Sequence, residues 1–189
     1  MRMTGIEKRF VNDSAHSRHV AEGAVRRLRH VPVDRGRSYL DVGCGNGAAA
    51  LLVADTFGVR VVGVDVDPQQ VALARAAAGD RSDVLFMTAD ATSLPFENGR
   101  FDIVATSKAT HHVPRWSSAL AEMQRVLTSN GYLVYADLTV PACLAWIAKP
   151  LASRAGAFTG ADLDHCFAPL HQVHKRRGWV HYEAILQKP

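Results

Sequence analysis

A short apolar run that ends in three alternating glycines constrains this chain more than any other feature. Leu40-Asp41-Val42 leads into Gly43-Cys44-Gly45-Asn46-Gly47, and Ala48 to Phe57 then reads as an Ala- and Leu-rich helix stopped at Gly58. A strand, a glycine turn and a helix in that order let the backbone reverse tightly. They also let it approach a bound ligand where a Cβ would clash. The unit then repeats. Val59 to Val64 is an unbroken β-branched run, the pattern of a strand buried on both faces. Asp67-Pro68 starts a helix, with Asp as cap and Pro at the first helical position, and the helix runs through Val71, Leu73 and Ala74 to Gly79. Asp83 to Thr88, Phe101 to Ala105 and Tyr132 to Leu138 read as the third, fourth and fifth strands. Trp116 to Leu127 spaces its apolar residues as a helix, with Asn130-Gly131 as its stop. Such alternation predicts an α/β fold, a doubly wound and mostly parallel sheet flanked by helices.

The two ends read differently. Residues 6–29 suggest one or two amphipathic helices, with Phe10, Val11, Val20, Ala24, Val25 and Leu28 as apolar members. Residues 140–178 have a mostly helical composition, broken at Pro150, Gly156, Gly160 and Pro169, and Trp179 to Leu186 alternates as a last strand. The length of 189 residues fits one domain. Its expected parts are an N-terminal helical cap (1–37), a βα core (38–138), and C-terminal helices with the last strand (139–189).

Composition narrows the class. A hydrophobic share of 48% is too high for a disordered chain. No run reaches the ~18 apolar residues of a membrane helix; the nearest, Pro141 to Leu151, is interrupted by Lys149 and Pro150. No apolar segment of secretory type follows Met1-Arg2-Met3. Cys44, Cys143 and Cys166 are an odd, scattered set, so the expectation is a reduced, cytoplasmic protein without a disulfide framework. The net charge of +4 averages over an acidic middle, −4 for residues 38–139, and two basic ends, +5 for 1–37 and +3 for 140–189.

Asp65 lies 18 residues after Gly47, at the end of the second strand. A carboxylate there accepts hydrogen bonds from the two ribose hydroxyls of an adenosine cofactor. Gly43-x-Gly45-x-x-Ala48 also satisfies a dinucleotide fingerprint, so a dinucleotide stays open at this point. Asp41 beside the glycines would repel a pyrophosphate and attract an ammonium or sulfonium. Asp90-Ala91, after the third strand, places a polar group where an adenine amine could be read.

Leu40 to Gly47, Gly63-Val64-Asp65-Val66-Asp67-Pro68, Asp90-Ala91 with Leu94-Pro95-Phe96, and Phe101 to Val104 with His111-His112-Val113 together resemble the class I S-adenosylmethionine-dependent methyltransferases. Within them the chain is similar to the small-molecule, type 11-like branch that includes the ubiquinone and menaquinone C-methyltransferases. Arg125-Val126-Leu127 with Gly131 extends the match. The resemblance implies a Rossmann-like fold and S-adenosyl-L-methionine as cofactor. It implies that Gly43, Gly45 and Gly47 line the methionine moiety with Asn46 at the turn, and that Asp41 holds the ammonium. Asp65 would bind ribose, Val66 pack on adenine, Asp90 and Ala91 read the adenine edge, and Ser107 lie near the methionine end.

Methyl transfer needs the nucleophile and the methyl carbon close and aligned, so no nucleophile motif is required. His111 and His112 are the candidate general bases. Two departures from the family pattern stand out. Lys108 adds a cation beside the sulfonium end, where it either points away or meets an anionic acceptor. The pair of antiparallel strands that normally ends the fold is represented only by Trp179 to Leu186, which predicts an abbreviated C-terminal region.

Other groupings carry less. Asp162, Asp164, His165, Cys166, His171 and His174 match no standard metal spacing, so a polar helical face and no metal is expected. Arg26-Arg27-Leu28-Arg29 and Lys175-Arg176-Arg177 read as solvated helix faces, Cys44 as a packing residue, and Trp146 with Leu144 and Ile147 as core or a membrane-interface edge, with core or a pocket wall favoured. Nucleic acid is disfavoured as a partner, because Thr106-Ser107-Lys108-Ala109 stands where such enzymes carry a Pro-Pro-aromatic or Pro-Cys motif. The alternatives are a nucleotide-cofactor binding protein without catalysis and an NAD-dependent short dehydrogenase. Tyr132 and Tyr135 lack the following Lys the latter needs. The expected acceptor is a small molecule. The basic ends would serve an anionic one, or an anionic membrane surface that presents a lipid- or quinone-like one.

Overall fold

The computed structural model describes residues 14–146 and 156–189. Phe10, Val11, Ile147 and Pro150 of the sequence reading lie outside them. Five helices and seven strands are described: α1 (Ser14–Leu28), β1 (Ser38–Val42), α2 (Ala48–Phe57), β2 (Arg60–Asp65), α3 (Pro68–Ala78), β3 (Val84–Thr88), β4 (Phe101–Ser107), α4 (Trp116–Val126), β5 (Leu127–Leu138), α5 (Gly160–Phe167), β6 (His171–Arg177) and β7 (His181–Gln187). Two 3₁₀ turns, Thr110–His112 and Ala142–Leu144, follow β4 and β5.

The strands form one sheet in the order β3-β2-β1-β4-β5-β7-β6. The first five are parallel, and β7 and β6 close the sheet antiparallel. Strand order reverses direction between β1 and β4, which opens a crevice at their C-terminal ends. Register brings the site groups to that end: Val42 pairs with Val64 and Thr106, Asp65 with Thr88, and Ser107 with Ala136.

Both faces are covered, which is why the parallel strands are apolar without alternation. Tyr39, Val61 and Ile103 point into one core with Leu28, Val53 and Phe86. Leu40, Val64, Val104 and Tyr135 point into the other with Leu120, Met123, Phe158 and Tyr182. The α3 start forms as its sequence dictates: Asp67 caps it by accepting from the Gln69 backbone N–H, with Pro68 at the first turn.

Three sequence expectations are corrected. The C-terminal antiparallel region is a complete pair, because His171–Arg177 is a strand where a mostly helical stretch is expected. Its sequence, His-Gln-Val-His-Lys-Arg-Arg, has one aliphatic residue because an edge strand with little burial needs no apolar face; its hydrogen bonds to β7 specify it. The last strand begins at His181, not Trp179, since Gly178-Trp179-Val180 is the hairpin turn. Strand β5 begins at Leu127, and Asn130, with φ of 62°, lies within it instead of ending a helix.

Candidate active site

A cavity of about 280 Å³ occupies the crevice. Asp41, Gly43, Gly45, Asn46, Asp65, Val66, Asp90, Ala91, Ser107 and His112 all line it, together with Ser17 and Val20 of α1, Lys108 and Arg115. Two predicted site residues do not: Gly47 and His111. Gly47, at φ +81°, begins α2, and a Cβ there would stand 2.7 Å from the Phe86 ring, so its role is packing.

The glycine loop is held from two sides. Gly43 has φ +78°, and an added Cβ would lie 2.3 Å from the Ala109 Cβ, so the loop seats against the β4 loop only without a side chain. Asp65 fastens the other side: its Oδ2 accepts the Gly45 N–H and its Oδ1 the Asp67 N–H, both at 2.9 Å. Burial pushes the Asp65 carboxyl above the usual range, and these backbone N–H groups oppose that. Asn46 donates to Ser17 Oγ at 3.0 Å and so ties the loop to α1. Asp90 accepts from the Thr92 N–H and hydroxyl, and those bonds hold its carboxyl below 3.8.

Asp41 is the electrostatic centre. It is buried, and its Oδ2 finds no hydrogen-bond partner among the described residues. Burial, and then the Asp65 charge, push its carboxyl from 3.8 up to about 7, with Arg27 pulling the other way. A buried carboxylate oxygen without a partner is costly unless a ligand supplies the counter-charge.

The β4–α4 loop contributes a second constellation. Asp137, fully buried at the end of β5, receives His111 Nδ1 at Oδ1, 2.5 Å away. Its Oδ2 accepts the Thr110 N–H at 2.8 Å and the Thr110 hydroxyl. Thr110 Oγ1 also meets the Tyr135 hydroxyl at 2.7 Å. The His111 and His112 rings lie 3.9 Å apart, so the oriented imidazole stands beside the one that lines the cavity. Lys108 lines the cavity as well, with φ of 53°. Its backbone N–H is fixed to the Ala136 carbonyl.

Asp137 and Arg27 were not read as functional from the sequence. Arg27 is 7% exposed, not part of a solvated face; its guanidinium donates to Ser107 Oγ at 2.5 Å and pairs with Glu183 at 3.4 Å. Its place between Ala24 and Leu28 on the apolar stripe of α1 was the available signal. For Asp137 the signal was a carboxylate inside an otherwise apolar strand. Trp146 is 75% exposed, so it is neither core nor pocket wall. Cys44 is buried beside the loop as a packing residue, and all three cysteines are free thiols. Asp162 caps α5 through Thr159, while Asp164 binds Lys175 and Tyr182. Among the described residues no cluster has the makings of a metal site. No helix among them is long and apolar enough to cross a membrane.

Residues 40–135 match the model of the methyltransferase domain family, just over half of the chain. The chain belongs to that family. Its fold agrees: the PH0226 protein of Pyrococcus horikoshii superposes with a TM-score of 0.78 at 23% identity, over 94% of this chain and 93% of that one. Among curated relatives, the 27-O-demethylrifamycin SV methyltransferase of Amycolatopsis mediterranei is 39% identical over 59% of this chain and 42% of its own. The demethylmenaquinone methyltransferase of Thermus thermophilus is 35% identical over 66% and 60%. Most such matches span about half or less of the relative's length.

The family's cofactor is S-adenosyl-L-methionine, and the residues fit it. The buried, unpartnered Asp41 oxygen suits an ammonium, whereas a pyrophosphate would face it with like charge. At Gly45 an added Cβ would meet only the Gln70 side chain, at 3.9 Å, so this glycine leaves the loop open for a close ligand.

Proposed function

We propose that the chain is an S-adenosyl-L-methionine-dependent methyltransferase acting on a small-molecule acceptor with a protic or activated methylation site. The observation that carries this reading is the buried Asp41 carboxylate oxygen, partnerless in a cavity shared with the glycine loop and Asp65. When bound, the cofactor supplies an electrophilic methyl group on a sulfonium. Asp41 holds its ammonium, and the glycine loop lies along the methionine portion with Asn46 at the turn. Asp65 turns its free lone pairs to the ribose, Val66 packs on the adenine, and Asp90 with Ala91 reads the adenine edge. Ser107 marks the methionine end. These placements are supported by one shared cavity at the strand ends.

The adjacent His111–His112 pair supplies the proposed general base, with His112 lining the cavity and Asp137 as the positioning residue of His111. Asp137 Oδ1 meets His111 at Nδ1, which leaves the Nε2 of that ring free, and the pair would take the proton that the acceptor atom gives up as it gains the methyl group and the thioether leaves. His112 forms the cavity wall against which the acceptor rests. An oriented imidazole of this kind contributes about 10²–10⁴-fold in rate.

Calorimetry with S-adenosylmethionine, S-adenosylhomocysteine and NAD tests the cofactor, and transfer of labelled methyl to a panel of phenols and hydroquinones tests the reaction. Both sulfur compounds should bind. His111→Gln and Asp137→Asn should keep that binding and lose rate. Binding of NAD alone would refute the assignment; full rate in both variants would remove His111 as base.

A further inference from the structure

The end of the sheet that carries the cavity also carries an apolar rim that the proposed chemistry does not use. Trp179 is 76% and Trp146 75% exposed, and Val180, Leu138 and Leu144 are exposed beside them. They come from three separate pieces of chain that the fold brings together. Trp179 and Val180 form the tip of the β6–β7 hairpin, closed by the Gly178 N–H to the His181 carbonyl. The Thr139 N–H bonds the Val180 carbonyl and so holds the end of β5 to that tip. Cys143 and Trp179 line one cleft, and the Trp146 indole N–H donates to the Cys143 carbonyl at 3.1 Å. Folding does not require two tryptophans in water, and their removal from it is worth as much as that of any side chain.

Charge surrounds this rim. Lys175, Arg176 and Arg177 lead directly into the tip, and the only acidic partner of Lys175 and Arg177 among the described residues is Asp164. Arg176 is exposed and has no ion pair there. Residues 140–189 carry a net +3. An exposed hairpin tip of indole and isopropyl groups, backed by guanidinium groups, matches an anionic bilayer by its charge and its apolar surface. Indole rings settle at headgroup depth, and each cation near the surface adds attraction.

The rim adjoins the active site. Past the 3₁₀ turn the chain returns over the His111 loop, with the Gly156 N–H on the His111 carbonyl and the Val140 N–H on the Phe158 carbonyl. We propose that this rim docks the protein on anionic lipid membranes, with Trp146 and Trp179 inserted at the headgroup boundary. The cavity mouth then faces the bilayer, from which an apolar acceptor can enter. The entry of the acceptor rests on the methyltransferase reading; the docking does not.

Sedimentation with vesicles of equal parts phosphatidylcholine and phosphatidylglycerol tests it, with pure phosphatidylcholine as control. Binding is expected to the mixed vesicles, with a blue shift of tryptophan emission, and to weaken in raised salt. The Trp146→Ser/Trp179→Ser variant should bind about tenfold or more weakly, and Arg176→Gln several-fold. S-adenosylhomocysteine affinity should stay unchanged in all of them, since none of these side chains reaches the cofactor cavity. Absence of wild-type binding, or equal binding by the double variant, would overturn the proposal. So would self-association that the tryptophan substitutions abolish in the absence of vesicle binding, because the rim would then be a protein interface. Failed docking with intact cofactor binding leaves the methyltransferase reading standing, and the converse result separates the two equally well.

Discussion

Replacing Asp41 by Asn should stabilise the free protein at alkaline pH while weakening cofactor binding, and the two effects have one cause. The carboxyl is buried and its pKa rises from 3.8 to about 7, mainly through burial and then through Asp65. Between those values the folded chain keeps a proton that the unfolded chain has released. Stability therefore falls as pH rises through this window, because the native state binds more protons than the unfolded one. At 1.36 kcal/mol per pKa unit the total penalty is on the order of 4 kcal/mol above pH 7, and it vanishes below pH 4. Asn has the shape of the neutral acid and does not titrate. The Asp41→Asn protein should melt within a few °C of wild type at pH 4.5, and at pH 8 it should melt higher, by on the order of 10 °C for a chain of this size. With S-adenosylhomocysteine the order inverts. Wild type gains a charge-assisted bond to the ammonium that Asn cannot make, so calorimetry should find the variant about 10- to 100-fold weaker at pH 8. Wild-type affinity should climb with pH up to about 7, as the carboxylate ionises, and then level off. A variant no more stable than wild type at pH 8, with undiminished affinity, would refute the assignment of Asp41 as the buried counter-charge.

Two further substitutions separate binding from architecture. Asp65→Ala should lower S-adenosylhomocysteine affinity about 10- to 100-fold by calorimetry, the scale of hydrogen bonds to a charged group. It should also lower Tm, because the same carboxylate holds the Gly45 and Asp67 N–H groups; Asp65→Asn, which keeps an acceptor, should recover part of the stability. Gly63→Ala would place a methyl 2.5 Å from the buried Phe86 ring and 3.1 Å from the Cys44 Cβ. Overpacking of this kind costs about 1–3 kcal/mol, so denaturant unfolding should shift to lower midpoint, and Phe86→Leu in the same chain should give part of it back.

The parallel half of the sheet and its cofactor crevice were legible because their causes are local. Continuous β-branched strands, caps such as Asp67-Pro68 and the glycines after β1 each follow from a few adjacent residues. The missed features all depend on pairings distant in sequence. Nothing within His171–Arg177 marks a strand; the ladder to β7 does, and β7 in turn depends on β5. Asp137 becomes meaningful only when the parallel register, Ser107 beside Ala136, sets it next to the Thr110–His112 turn. Arg27 is buried because Ser107 and Glu183, 80 and 156 residues away, converge on it.

The same logic explains why Trp146 does not lie where its sequence favours placing it. Sequence alone favours the interior or a pocket wall for Trp146 and Leu144 over a membrane-interface edge, since burying an aromatic ring is the commonest way to satisfy it. Yet both cores close without them: Tyr135, Phe158, Phe167 and Tyr182 already fill the space beneath β5 and β7. Trp116, the third tryptophan, packs tilted against Phe158, with ring centroids 5.0 Å apart, at the edge of that core. The remaining two therefore lie outside a finished interior, on the rim nearest the His111 loop. Their placement reflects a surface role set by topology: β5 runs parallel to β4, so its end, the hairpin tip and the cavity mouth open on the same side of the sheet.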